Sequence, residues 1–468
     1  MKPMRHRRGS PWTAIAVSLM GSTSPLALVF AQSPGSAPVS SPAVESAPEV
    51  RGETLQTVDL PTVLRLAGMN NLDLALVREA ENKAKAANDA ATLRFFPWLE
   101  LGASYDNHSG AEQVNPPGSI QNFDTVLFEP AATLSAQLDI GDAIFQKLAA
   151  RQQRVAAGYS VDVQHNDTAF AAAAAYLDLV YAGTAEDIAR DALRISQDYE
   201  QQLNRAVAIG MVNRSDLLRE SVQTQRDQVI LREAQNTVRT ASTALATLLH
   251  LDVSVRLQSA ERIVAPVTLV PLDTPASTLV ESALAARPEL KGSAAAISAA
   301  EEQRRGAKFG PLVPSLGAQA IYGLQRGGPD NYFGPSQSSR DYLVGLNWRL
   351  GPGGLLDFSR TETADSQLRT QRLHDTQLRD MISQQVIDAH DAALSRFEQI
   401  GLARHSVDLA EQSLKLSQQR RELGVYAVLE VIQAQQDLTQ ARTDYAQALT
   451  QYTKAQYALA HATARIGQ

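Results

Sequence analysis

The sequence predicts an α+β protein made of two copies of a helix–strand–strand–helix–helix unit, with helices too long for a compact domain. Three observations predict it. Residues 355–424 hold no proline and a single interior glycine, Gly401, and residues 141–210 form a second proline-free stretch of similar length. At ~1.5 Å per residue each helix is on the order of 100 Å long, a rod that must span something. Four shorter stretches alternate apolar and polar residues with the period of a β-strand. Finally, the stripe Leu231, Ala234, Val238, Ala241, Leu245, Leu248 recurs, shifted by 214 residues, as Tyr445, Ala448, Tyr452, Ala455, Leu459, Ala462, an internal duplication.

In chain order, residues 1–31 carry a charged start (Lys2, Arg5, Arg7, Arg8), a mostly apolar run from Trp12 to Phe30, and Val29-Phe30-Ala31, which fits a cleavage site with small residues at Val29 and Ala31. This is the pattern of a cleaved export signal. Residues 32–55 are a flexible Pro/Ser/Ala lead. The first repeat, 56–250, opens with a helix over 60–95, in which Leu64, Ala67, Leu72, Leu76, Ala80 and Ala84 are helically spaced; Pro97 ends it. Strands follow at 97–107, where Leu99, Leu101, Ala103 and Tyr105 alternate with polar residues, and at 125–140, with a polar loop between them. Helices over 142–210 and 214–250 complete the copy. Residues 251–275, with Pro266, Pro271 and Pro275, form an irregular linker at mid-height.

The second repeat, 276–468, restates the plan: a helix over 277–310, strands at 314–325 and 341–351, and helices over 355–424 and 428–466. The long helix carries Ile382, Val386, Ala389, Ala393, Phe397, Ile400, Ala403, Val407, Ala410 and Leu414 three or four residues apart, a narrow coiled-coil seam.

Composition removes several functions. The net charge of −7 and the lack of a basic stripe argue against nucleic acid. With no cysteine there are no disulfides, no thiolate metal sites, no cysteine nucleophile and no acylated N-terminal cysteine. No catalytic constellation is present; His374-Asp375 and His390-Asp391 read as solvated helix surface, so neither enzyme activity, metal nor cofactor is expected.

Four strands cannot close a barrel, and open sheet edges are not tolerated in lipid. If the strands lie in a membrane, several chains each contribute four. Their alternation suits a barrel wall with a wet lumen, and Trp98, Phe128, Tyr322 and Trp348 are candidates for the lipid interfaces.

The duplicated plan resembles the TolC family of outer-membrane efflux proteins. The resemblance covers 60–466 and rests on Ala286-Arg287-Pro288-Glu289-Leu290, on Pro97 and Pro314 opening strands, on Gly210 with Asp216-Leu217-Leu218, and on Gly424 with Glu430-Val431-Ile432. It implies a homotrimer with a twelve-stranded barrel in outer-membrane lipid and an α-helical tunnel through the periplasm. It further implies a periplasmic adaptor and an inner-membrane pump of the RND or ABC type. The chain departs from the family's lipoproteins in having no cysteine, and from its strand-end glycine pair at Gly141-Asp142.

On this reading the helix-hairpin tips are the constriction. Asp216, Glu430 and Gln433 line the mouth, the two acids repeating in a trimer as a negative ring that favours cations, and Arg214, Arg421 and Tyr426 tie neighbouring hairpins together. Ile209-Gly210-Met211 and Leu423-Gly424-Val425 are the apolar tips that dock an adaptor. The competing classes are a periplasmic coiled-coil adaptor and a soluble scaffold; paired strands in both copies argue against each.

Overall fold

A computed structural model describes residues 55–114, 118–263, 265–329, 332–422 and 428–465, without the side chains of 70, 112–114, 123, 421 and 422. The export signal, the lead as far as residue 54, Leu423, Gly424, Val425, Tyr426 and the Arg421 side chain lie outside the described residues.

The first copy runs β1 (Leu55–Val58), α1 (Leu60–Asn70), α2 (Leu72–Leu93), β2 (Trp98–Val114), β3 (Ser119–Leu138), α3 (Ile140–Ala208) and α4 (Arg214–Leu248). After β4 (Arg256–Ser259) the second runs α5 (Ala276–Ala286), α6 (Pro288–Phe309), β5 (Ser315–Pro329), β6 (Gln337–Asn347), α7 (Phe358–Glu422) and α8 (Val428–Ala462). The copies match in detail. α1 and α5 both have 11 residues, α2 and α6 both have 22, and α4 and α8 both have 35. Each return helix closes on a non-glycine residue in the left-handed region, His250 (φ 51°) and Ala464 (φ 56°), again 214 positions apart. In both, the following N–H reaches back five residues: Leu251 to Ala246 at 2.9 Å and Arg465 to Ala460 at 2.7 Å.

Each short helix expected as one rod is two. The helix over 60–95 breaks at Asn71, whose Oδ1 accepts the Leu74 N–H at 2.9 Å and caps α2. The helix over 277–310 breaks at Arg287, held extended (ψ 128°) because Pro288 follows it. Residues 251–275 are not irregular throughout: β4 lies parallel to β1, with Leu55 opposite Arg256 and Val58 opposite Ser259. Leu55 therefore belongs to a strand rather than to the flexible lead.

The second sheet is antiparallel, in the order β2-β3-β5-β6. Its strands run further into the polar loops than alternation predicts, β2 to Val114 and β3 from Ser119. Backbone pairing propagates without an apolar face, and polar cross-strand contacts support it: Ser109 Oγ donates to Asp124 at 2.5 Å. Register places Leu99, Leu134, Ala320 and Tyr342 in one row across all four strands, and Leu101, Ala132 and Tyr322 in the next. This face carries exposed Leu99, Leu101, Leu134, Tyr322, Tyr342, Val344 and Leu346. The other carries Glu100, Thr133 and Asp341, Ser135 and Gln319, interrupted by Ile321 and Leu343. Pairing of β3 with β5 lapses at Glu129 and Pro130, where the proline has no N–H to give.

Among the four interface aromatics, Phe128 and Tyr322 lie on the apolar face, and Trp348 is exposed just beyond β6. Trp98 does not join them. It stands opposite Ser135 on the polar face, because β2 begins one residue before its apolar phase starts at Leu99.

Below the sheet the copies meet closely. A Cβ on Gly141 would run into the Gly310 carbonyl oxygen, so a side chain there would push the segment after α6 away from α3. Arg360 of α7 donates to Asp142 of α3 across the same joint. At mid-height each copy has its own core: Val63, Tyr176, Val180, Leu245 and Leu257 in the first, Leu279, Ile382, Val386, Ala393 and Leu459 in the second. Towards the turns a third cluster joins Tyr199 and Leu203 of α3 to Ala410 and Leu414 of α7 and Val428, Val431, Ile432 and Leu438 of α8.

Candidate functional site

The helix-hairpin ends gather the residues that sequence singles out. α3 terminates at Gly210, φ +75°, with the Gly210 N–H donating to Val207 at 3.0 Å and the Met211 N–H to Ala206 at 2.9 Å. Paired back-bonds of this kind need a left-handed residue, which glycine adopts without strain. Ile209 and Met211 on either side are exposed, an apolar tip on a polar rod. α4 starts at Arg214, which is exposed.

Asp216 and Glu430 occupy matching first-turn positions of α4 and α8, but neither is a bare negative charge. Asp216 accepts from Arg219 of its own helix at 3.0 Å. Glu430 accepts from Arg420 Nη1 at 2.8 and 3.1 Å, an ion pair that links α7 to α8. Gln433 is exposed on α8. Arg420 is a cation that links two helices here, and sequence reasoning missed it. Ten positions separate it from Glu430, and only the hairpin geometry brings them together.

Behind the tip, the seam between α3 and α4 is polar. Glu220, Gln223, Thr224 and Asp227 recur three and four residues apart, so they share one face of α4, and all four are buried. Ser196 Oγ on α3 donates to Asp227, and Gln223 Nε2 donates to it at 2.9 Å. Ser221 Oγ donates to Glu200 of α3 at 2.5 Å, and Gln436 of α8 donates to Gln223 at 2.6 Å. Glu220 is wholly buried, and neither of its oxygens accepts a hydrogen bond among the described residues; the Thr224 hydroxyl beside it also lacks a partner there. Burial, then the neighbouring charges of Asp227 and Glu200, push the Glu220 carboxyl up to about 7. Burial also raises Asp227, against the bonds from Ser196 and Gln223.

Among the described residues no group of three or more acids or histidines is placed to hold a metal ion, and no helix is long and apolar enough to cross a membrane.

Residues 279–465, nearly the whole second copy, match the family model described as outer membrane efflux protein. The chain carries an outer membrane efflux protein domain, and its fold is TolC-like. Solved structures share that fold over both copies. The CmeC outer membrane channel of Campylobacter jejuni superposes with a TM-score of 0.73 at 17% identity, over 86% of this chain and 85% of that one. The outer membrane protein VceC of Vibrio cholerae gives 0.70 at 17%, over 86% and 95%. A membrane protein from Pseudomonas aeruginosa gives 0.75 at 17%, over 86% and 92%. No curated protein matches the sequence. The family match stops at the second copy, yet the first repeats its order of elements, with helices of equal or nearly equal length.

Proposed function

We propose that the chain is one subunit of a homotrimeric exit duct in the outer membrane, serving a tripartite efflux or type I secretion assembly. It passes substrates delivered by an inner-membrane pump through a periplasmic adaptor, and does no chemistry itself. The observation that carries this reading is the four-stranded sheet. One face is exposed and apolar from β2 to β6, and those two edge strands have no partner within the chain among the described residues. Such a sheet is unstable in lipid alone, where every backbone N–H and C=O must be paired. Three copies joined edge to edge satisfy both requirements.

The long helices then continue the wall as a tunnel, and the ends of α3 and α7 at Ala208 and Glu422 lie at its far mouth. Pairing of Asp216 with Arg219 and of Glu430 with Arg420 supports a mouth of balanced rather than purely negative charge. The exposed Ile209 and Met211 support the tip as the adaptor's landing point. Export by the N-terminal segment and a non-lipidated start belong to the same reading.

Purified protein reconstituted in a planar bilayer tests it. The duct reading expects discrete conductance steps from a species that migrates as a trimer until heated, recovered from outer-membrane fractions. A water-soluble monomer without conductance contradicts it.

A further inference from the structure

The two copies solve the same packing problem differently near their turns. Under the 214-residue offset, Ser196 and Glu200 of α3 correspond to Ala410 and Leu414 of α7. Glu220, Thr224 and Asp227 of α4 likewise correspond to Ala434, Leu438 and Ala441 of α8. All five second-copy residues are buried in the apolar cluster that closes the α7–α8 seam. The geometry therefore accepts aliphatic side chains at these positions, and the first copy holds three carboxyls there instead.

We propose that Glu220 is a proton-operated latch: neutral, it lets α3 and α4 close behind the tip; ionised, it drives the first turns of α4 away from α3. The groups facing it are few. From α3 comes Glu200, from its own helix Asp227, and from α8 the uncharged Gln436, through Gln223. The two charges that act on Glu220 are both acidic. Arg226 and Arg442 line the adjoining cleft with Asp227, and no ion pair joins either to it among the described residues. An ionised Glu220 therefore meets like charge and no solvent, and accepts no hydrogen bond among the described residues, which buried charge does not tolerate. Its burial is complete within one chain, so the strain does not wait on assembly.

The sign follows from linkage. A carboxyl whose folded value stands near 7 binds a proton more tightly in the closed seam than in an open one, where an ordinary glutamate applies. Closure is complete below the ordinary glutamate range and weakens as pH rises through about 7. The effect on conduction rests on the duct reading above; the latch itself does not.

Hydrogen–deuterium exchange of the full-length protein in detergent, at pH 6 and pH 8.5 and normalised for intrinsic rates, tests it. Peptides over 214–228 lose about tenfold protection at the higher pH, while those over 428–442 do not. In Glu220→Gln, and in Glu220→Ala, which installs the second copy's residue, the 214–228 peptides stay protected at both pH values. The latch is overturned if wild type shows no change, if both regions change alike, or if the variants follow wild type. A protein that shows the exchange pattern but never conducts removes the duct reading and leaves the latch.

Discussion

The α3–α4 and α7–α8 hairpins have return helices of the same length, yet their seams are chemical opposites. The α7–α8 seam is closed by Ala410, Leu414, Ala434, Leu438 and Ala441, whose burial stabilises at any pH. Glu220 and Asp227 close the α3–α4 seam under strain that grows with pH, and hydrogen bonds from Ser196 and Gln223 satisfy only Asp227. Duplicated geometry thus allows one copy to act as a fixed strut while the other remains adjustable.

Exchanging the two chemistries is the most drastic way to break the comparison. Leu438→Asp puts an uncompensated charge into the apolar seam, at a cost of about 3–5 kcal/mol, and thermal unfolding is expected to show a large drop or no folded species. The reverse change, Glu220→Leu, is expected to stabilise by about 1–4 kcal/mol at pH 8. Unfolding measured from pH 5 to 8 should show the gain shrinking towards pH 5, because neutral Glu220 no longer opposes closure. Gly210→Ala sharpens the account of the tip. No atom lies within 4 Å of the added Cβ, so only the positive φ opposes it, about 1–2 kcal/mol of unfolding free energy. Arg420→Ala has the smallest expected effect. The pair with Glu430 is exposed, so stability moves by less than about 1 kcal/mol, while bilayer recordings show greater preference for cations.

Much of this architecture was legible in the sequence because it repeats and is periodic. Proline-free runs mark α3 and α7, period-two alternation places Leu99, Leu101 and Tyr322 on one face, and the 214-residue offset relates α4 to α8. The helix breaks were harder to see. The apolar spacing of Leu64, Ala67 and Leu72 passes through Asn71 with little disturbance, and a single capping bond decides the geometry. Pro288 did carry a signal, since a residue before proline avoids helical backbone. The Arg420–Glu430 pair was hidden because no local pattern records what a turn brings together. The polar seam was half visible: extending the offset back from Leu231 to Glu220 sets acid against Ala434, but burial on the α3 side appears only in the fold.

The central claim is that this sheet is completed by its own copies, joining β6 of one to β2 of the next. The chain has no cysteine, so introduced cysteines report cleanly. Tyr105→Cys on β2, combined with single cysteines walked along Arg340–Leu346 on β6, should give disulfide-linked species up to three chains in size on mild oxidation in membranes, resolved on a non-reducing gel. Monomers alone at every position of the walk would contradict the account.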